Sequence, residues 1–423
     1  MRTTTPTRRW TTARWAMADV SGRPSRRQFL TGGAAFVGGA AVGAVAGAAA
    51  ADEAVQGSAN EVWGSDTLPF WGPHQPGVET PALAANTVIA LDLRDGVDRE
   101  GVARLLRLWT DDAARLMSGA PALADMEPEL AARPSRLTVT MGFGPSFFRR
   151  LGIEDQQPPG LVDIPPLSID RLQERWSGGD LMLQVGADDQ VTLAHTTRLL
   201  LRDGRAFAQV RWVQRGFREA RGATPEGATG RNLFGQVDGT VNPDPGTDDF
   251  ASVVWASNGP DWFDGGTTMV VRRIRFDLDG WDALDRDDRE QTIGRRLSDG
   301  APLSGGTEDS TPDLRAEGEL GLKKIPEFAH IRRARARHSG ERFLRRGYSY
   351  DDTPVSPDEI SDIGLIFCTF QADIARQFLP VQRRLASLDL LNTWTTPIGS
   401  AVFAIPPGVD EGDWIGSVLL SGA

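Results

Sequence analysis

Asp238 is the side chain in this sequence whose setting most plainly suits chemistry. It lies in Arg231-Asn-Leu-Phe-Gly-Gln-Val-Asp-Gly-Thr-Val-Asn-Pro243, between Gly235 and Gly239. Glycine adopts φ > 0 without steric cost and admits close approach to the main chain, so the pattern predicts a bent loop that presses one carboxylate against a neighbour. The alternative is a surface turn with a solvated Asp. A second cluster is Ala329-His-Ile-Arg-Arg-Ala-Arg-Ala-Arg-His338, followed by Phe343-Leu-Arg-Arg-Gly-Tyr-Ser-Tyr350. So many guanidinium groups around a histidine repel one another unless an anion offsets them. Phosphate, a nucleic-acid backbone and a haem with its two carboxylates all meet that need.

Composition narrows the choice. The 423 residues carry a formal net charge of −11, and the first fifty hold seven Arg against one Asp, so the rest of the chain is more acidic still. Such a chain is a poor ligand for nucleic acid or an anionic membrane. It contains no Gly-x-x-x-x-Gly-Lys phosphate loop. Haem remains, and haem needs an axial ligand such as histidine. The candidates are His74, His195, His330 and His338. Cys368 is the single cysteine, which excludes a disulfide framework and a cysteine-rich metal site. His74, in Phe70-Trp-Gly-Pro-His-Gln-Pro-Gly77, reads as a partner for loop backbone.

The elements that must position these groups follow from periodicity. Residues 1–51 read as an export signal: Arg26-Arg27 with Phe29-Leu30, then an uncharged Gly/Ala/Val run that ends in Ala48-Ala49-Ala50. The paired arginines resemble those of a twin-arginine signal, which implies the twin-arginine translocation machinery as a partner, export after folding and no stable membrane anchor. Residues 52–68 form a flexible lead-in. Within 69–225, strands at 87–93, 137–141, 180–185 and 206–213 alternate with helices at 99–117 and 188–201, in the order β-α-β-β-α-β, with a short helix at 145–151. That is a ferredoxin-like unit. A second unit is expected within 226–423, with strands at 267–276, 363–370 and 400–405 and helices at 281–295 and 374–388. The fold class is therefore α+β, two antiparallel-sheet domains packing sheet to sheet. The interval 298–359 is too polar to be core and reads as a functional insertion. Residues 415–420 read as a packed terminus.

Several ordered motifs resemble those of the dye-decolorising haem peroxidases. They are Arg-Asn-Leu-Phe-Gly-x-x-Asp238-Gly-Thr, Ala-His330-Ile-Arg and Leu-Arg345-Arg-Gly-Tyr-Ser-Tyr, with Phe-Trp-Gly-Pro-His-Gln-Pro-Gly77, Gly179-Asp-Leu and Gly399-Ser-Ala-Val-Phe-Ala-Ile-Pro-Pro-Gly408. The similarity spans residues 68–414 and is greatest to an exported subgroup that includes an iron-uptake-associated periplasmic peroxidase. It implies a b-type haem between the two domains, with hydrogen peroxide and a one-electron donor as substrates. His330 would be the iron ligand, with His338 the competing assignment. Gly235 and Gly239 would shape the distal loop, and Arg332 would bind the cofactor. Asp238 would move a proton between the peroxide oxygens, and Arg345 would stabilise charge, with Arg346 as its rival. A carboxylate base favours mildly acid pH. Gly347 stands where relatives often carry Ser or Asn. Asp373 is the expected hydrogen-bond acceptor for the axial imidazole, or else a helix N-cap. Tyr348 and Tyr350 are the first candidates for a surface oxidation site that serves bulky donors. A haem-handling protein that releases iron from haem is the alternative function. A homo-oligomer is compatible with all of this.

Overall fold

The computed structural model describes residues 63–421 apart from residues 226, 227, 355 and 358. The expected export signal and residues 52–62 of the lead-in lie outside the described residues. The N-terminal half runs Ala85–Leu93 (β1), Arg99–Met117 (α1), Thr138–Phe143 (β2), Pro145–Leu151 (α2), Leu181–Ala187 (β3), Gln190–Gly204 (α3) and Ala208–Phe217 (β4), in the expected order. Asp98 starts α1 by accepting the Gly101 N–H at 2.8 Å, a cap that stabilises by about 1 kcal/mol. Val102, Leu105, Leu106, Trp109, Ala113 and Leu116 then share the buried face, each large side chain contributing roughly 1.5–3 kcal/mol. Trp109 donates its indole N–H to the Leu200 carbonyl at 2.8 Å. Gly204 leaves room for that ring, since a Cβ there would meet it at 2.8 Å.

The C-terminal half comprises Asp248–Val254 (α4), Thr267–Phe276 (β5), Leu278–Asp282 (α5), Arg286–Ile293 (α6), His330–Ala334 (α7), Leu344–Asp352 (β6), Asp362–Gln371 (β7), Leu379–Leu388 (α8), Thr395–Ile405 (β8) and Ser417–Ser421 (α9). The expected helix at 281–295 is instead α5 and α6, each begun by its own capping aspartate, Asp277 and Asp285. The expected helix at 374–388 opens with one π-helical turn, Ile374–Phe378. Strand β6 lies inside the interval expected to be an insertion. It completes a second β-α-β-β-α-β unit. The terminus packs as expected, with Ile415 and Leu419 buried.

The two sheets share one buried core cluster between their inner faces, as expected, and they also join at their edges. Each is a four-stranded antiparallel sheet, β4-β1-β3-β2 and β8-β5-β7-β6, and their edges meet where Phe143 pairs with Ala404 and Phe217 with Ser349. The result is an eight-stranded barrel closed by these two short seams. Side chains that alternate along each strand split between two cores. Val88, Met182, Trp212, Val271, Tyr348 and Phe403 belong to one buried cluster, whereas Ile89, Leu91 and Leu183 join α1 and α3 in another.

The loop at 70–77 stitches the halves together. Gln75 pairs with both the N–H and the carbonyl of Met141 and also donates to the Pro406 carbonyl. His74 bonds the Gly265 carbonyl at 2.8 Å and stacks on Trp255 with ring centroids 3.7 Å apart. Its role is structural, as its sequence context indicates.

Candidate active site

Parity along β6 decides what reaches the cleft beside it. Arg345, Gly347 and Ser349 line the cleft with Leu365 and Phe367 from β7 and with Asp238, Gly239, Asn232 and Asn242 from the glycine-flanked loop. Arg346, Tyr348 and Tyr350 alternate to the opposite face and are buried. The loop bends as its sequence predicts, with Gly235 at φ +79° and Gly239 at φ +124°. Arg231 holds the bend by donating to the carbonyls of Gly235, Leu297 and Ser298.

The bend brings Asp238 Oδ1 to 3.1 Å from Arg345 Nη1. Asn232 Nδ2 lies 3.4 Å from the other carboxylate oxygen. The two ionic side chains are each about a quarter exposed, open to small molecules from the cleft. Asn242 then ties loop to strand: its Oδ1 accepts the Arg345 N–H at 2.9 Å and its Nδ2 donates to the Arg345 carbonyl at 2.8 Å. Asn242 sits within the motif quoted for Asp238, so its Asn-Pro signal was present in the sequence.

His330 opens α7, and its Nδ1 lies 2.6 Å from Asp389 Oδ2. Nε2 has no hydrogen-bond partner among the described residues. Burial alone would depress the imidazole pKa; the charge and hydrogen bond of Asp389 outweigh it and hold the pKa above the usual histidine value. The positive charge of Arg345 and the negative charge of Asp238 also act on this imidazole, in opposite directions, so the three groups share one electrostatic neighbourhood.

Several expectations are corrected here. Asp373 does not serve His330: its Oδ1 accepts the Arg376 N–H at 2.9 Å and caps the π-helical turn. Asp389, which follows α8, takes that place, and no local pattern links it to a histidine so distant in sequence. His338 is exposed, 3.5 Å from Glu341. Arg346 cannot replace Arg345, since it is buried and donates to the carbonyls of Val78 and Thr80. Arg332 is committed to the carbonyls of Leu314, Ile325 and Pro326. Tyr348 and Tyr350, 2% and 1% exposed, are not surface groups.

The donor set fits an iron porphyrin. Such a group needs a nitrogen ligand, apolar walls and cationic partners for its carboxylates. His330 offers a free Nε2. Phe234, Ile293 and Leu365 form a cluster with the partly buried Ile274, Ile331, Phe367 and Leu391. Arg333, one turn after His330, has a buried Nε with no hydrogen-bond partner, and an unsatisfied buried donor of this kind is costly unless a ligand accepts from it. Of the two neighbouring arginines, Arg333 rather than Arg332 has an uncommitted buried donor to offer an anion.

Residues 75–218 match the family model for the Dyp-type peroxidase N-terminal domain, and residues 229–410 match that for the C-terminal domain. The chain belongs to the Dyp-type peroxidases. A dye-decolorizing peroxidase from Thermobifida fusca (strain YX) is 41% identical over 94% of this chain and 97% of its own length. A deferrochelatase from Yersinia pestis bv. Antiqua (strain Nepal516) is 35% identical over 95% of this chain and 96% of its own. The crystal structure of a DyP-type peroxidase from Cellulomonas bogoriensis superposes with a TM-score of 0.83 at 51% identity, covering 85% of this chain and all of that one. For a Dyp-type peroxidase, the pairing of Asp238 with Arg345 on the cleft is the feature that bears on chemistry.

Proposed function

We propose that this Dyp-type peroxidase works with a b-type haem held by His330, reduces hydrogen peroxide and draws electrons from dyes, phenols or similar one-electron donors. The carrying observation is the cleft in which the Asp238 carboxylate and the Arg345 guanidinium meet at 3.1 Å, in the same electrostatic neighbourhood as a histidine with a free Nε2. Bound there, haem would supply the redox centre for both substrates. Cleaving the O–O bond requires a proton to leave one peroxide oxygen and reach the other. Asp238 can carry it on Oδ2, because Oδ1 faces Arg345 and Oδ2 has only the long Asn232 contact. Arg345 stays protonated throughout and offers a fixed positive charge to the departing oxygen. His330, backed by Asp389, presents Nε2 as the ligand. The donors Arg333 and Gln236 Nε2, both buried and unpartnered, stand ready for groups brought by cofactor or substrate.

The test is peroxidase turnover and the haem absorption band in Asp238→Asn, Arg345→Leu and His330→Ala. Turnover falls about 100-fold or more in the first two with haem retained, and the band is lost or altered in the third. Retained turnover in both cleft variants refutes the assigned roles.

The sequence of the first fifty residues supports export through the twin-arginine pathway, to the periplasm, cell envelope or medium. Replacing Arg26 and Arg27 with Lys should keep the protein in the cytoplasm. Among the described residues no helix is long and apolar enough to cross a membrane. The 35% identity to a deferrochelatase favours, as a second reading, release of iron from haem. Formation of metal-free porphyrin by the haem-loaded protein under reducing conditions would support it.

A further inference from the structure

Beyond α1, on the N-terminal half, the chain crosses α3 through a loop fastened at successive residues. The Leu123 N–H donates to Asp112 at 3.0 Å, Arg202 donates to the Ala124 carbonyl at 2.9 Å, and the Glu127 N–H donates to Asp125 Oδ1 at 2.9 Å. The other Asp125 oxygen lies 2.9 Å from Nε2 of His195, on α3. The His195 side chain is 6% exposed and the Asp125 side chain fully covered. Glu127 brings a third donor, and one ligand atom from each of the three residues lies within 4.8 Å of the other two.

A hydrogen bond between His195 and Asp125 accounts for two of these groups but not for the third. The exposed Glu127 carboxylate has no hydrogen-bond or ion-pair partner among the described residues, and it lies within reach of an ion that also touches Asp125 and His195. Arg202 adds positive charge near Asp125, but its Nη2 donates to the Ala124 carbonyl and Asp203 lies 3.3 Å from its Nε, so it makes no bond to these carboxylates.

We propose that Asp125, Glu127 and His195 form a binding site for a divalent transition-metal ion of the zinc class, separate from the peroxidase cleft. Ligands about 2.0–2.2 Å from such an ion stand roughly 3–4.4 Å from one another, so these donors need little movement to close on it. An imidazole in the set disfavours calcium and magnesium, which take oxygen donors, and the absence of thiolate disfavours the softest ions. When the ion enters, it takes the place of the hydrogen between His195 and Asp125; the neutral imidazole moves its proton to Nδ1, and water fills the remaining positions. The ion would clip the loop to α3.

The test uses haem-loaded, tag-free full-length protein stripped of metals with chelator and titrated calorimetrically with Zn²⁺, with Co²⁺ as a spectroscopic probe. One Zn²⁺ binds per chain with micromolar affinity. Glu127→Gln, which alters one exposed carboxylate, weakens binding by at least about tenfold, and His195→Ala abolishes it, while the haem absorption band is unchanged in both. Binding no tighter than millimolar, or equal affinity in wild type and Glu127→Gln, overturns the proposal. Should His195→Ala fail to fold, Glu127→Gln decides alone.

Discussion

His330 Nδ1 lies 2.6 Å from the Asp389 carboxylate, whose side chain is 3% exposed. A buried carboxylate that accepts the Nδ1–H fixes the tautomer, leaves the Nε2 lone pair for iron and makes the imidazole a stronger donor. Asp389→Asn keeps an acceptor and removes the charge. We expect its ferric/ferrous reduction potential to rise and its peroxide cleavage to slow by about 10-fold to 100-fold. Asp373→Asn should change neither. Spectroelectrochemical titration beside a stopped-flow peroxide pulse measures both; equal potentials in Asp389→Asn and wild type would remove Asp389 from the role.

Asn242 completes the sheet edge that carries Arg345. Strand β6 pairs along its length with β7, but on its other side β4 reaches only as far as the Phe217–Ser349 pair. The main-chain N–H and carbonyl of Arg345 would face that open edge, and the Asn242 amide satisfies both as a neighbouring peptide would. Asn242→Ala loses two hydrogen bonds, each contributing about 1 kcal/mol, and frees loop and strand to move apart. The rate of peroxide cleavage should fall about tenfold with haem content retained. An unchanged rate in a stopped-flow peroxide pulse would mean that the Asp238–Arg345 geometry does not depend on this tie.

What the sequence disclosed, and what it hid, divides along local and distant causes. Helix α1 spans residues 99–117 as expected, because Asp98, its cap, and the apolar spacing are all within the segment. The bend at Asp238 was legible because glycine writes positive φ into the chain. Strand β6 was not, because its inward face includes Arg346, whose charge is tolerated only through carbonyls of Val78 and Thr80 far earlier in the chain. Barrel closure rests on pairings as remote as Phe143 with Ala404, and neither strand reveals its partner. Asp373 stood before a helix as a cap would, and a cap is what it is; Asp389 became the partner of His330 only by tertiary placement.

Tyr348 and Tyr350 point away from the cleft. The Arg273 guanidinium lies 3.7 Å over the Tyr350 ring, and burial raises the pKa of both phenols above the usual tyrosine value. A bulky donor cannot touch either ring. The double variant Tyr348→Phe/Tyr350→Phe should oxidise large dyes at a rate within about a factor of two of wild type. A tenfold loss for large dyes, with small phenols unaffected, would show that electrons pass through these buried rings after all.

Asp112 makes stability depend on pH. It is buried on α1, and its pKa is pushed up to about 6, first by burial and then, against the favourable Leu123 N–H, by the nearby Asp203 carboxylate. A carboxyl pKa raised in the folded state contributes stability that is fully present below the unfolded value near 3.8 and is lost as pH rises through about 6. The shift corresponds to at most about 3 kcal/mol. Asparagine at this position is neutral at every pH and can still accept from Leu123. Asp112→Asn should therefore melt a few degrees above wild type near pH 7.5, with the gap closing near pH 4. Scanning calorimetry across that range reads it directly, and a gap that stayed constant with pH would mean that Asp112 does not titrate in this window.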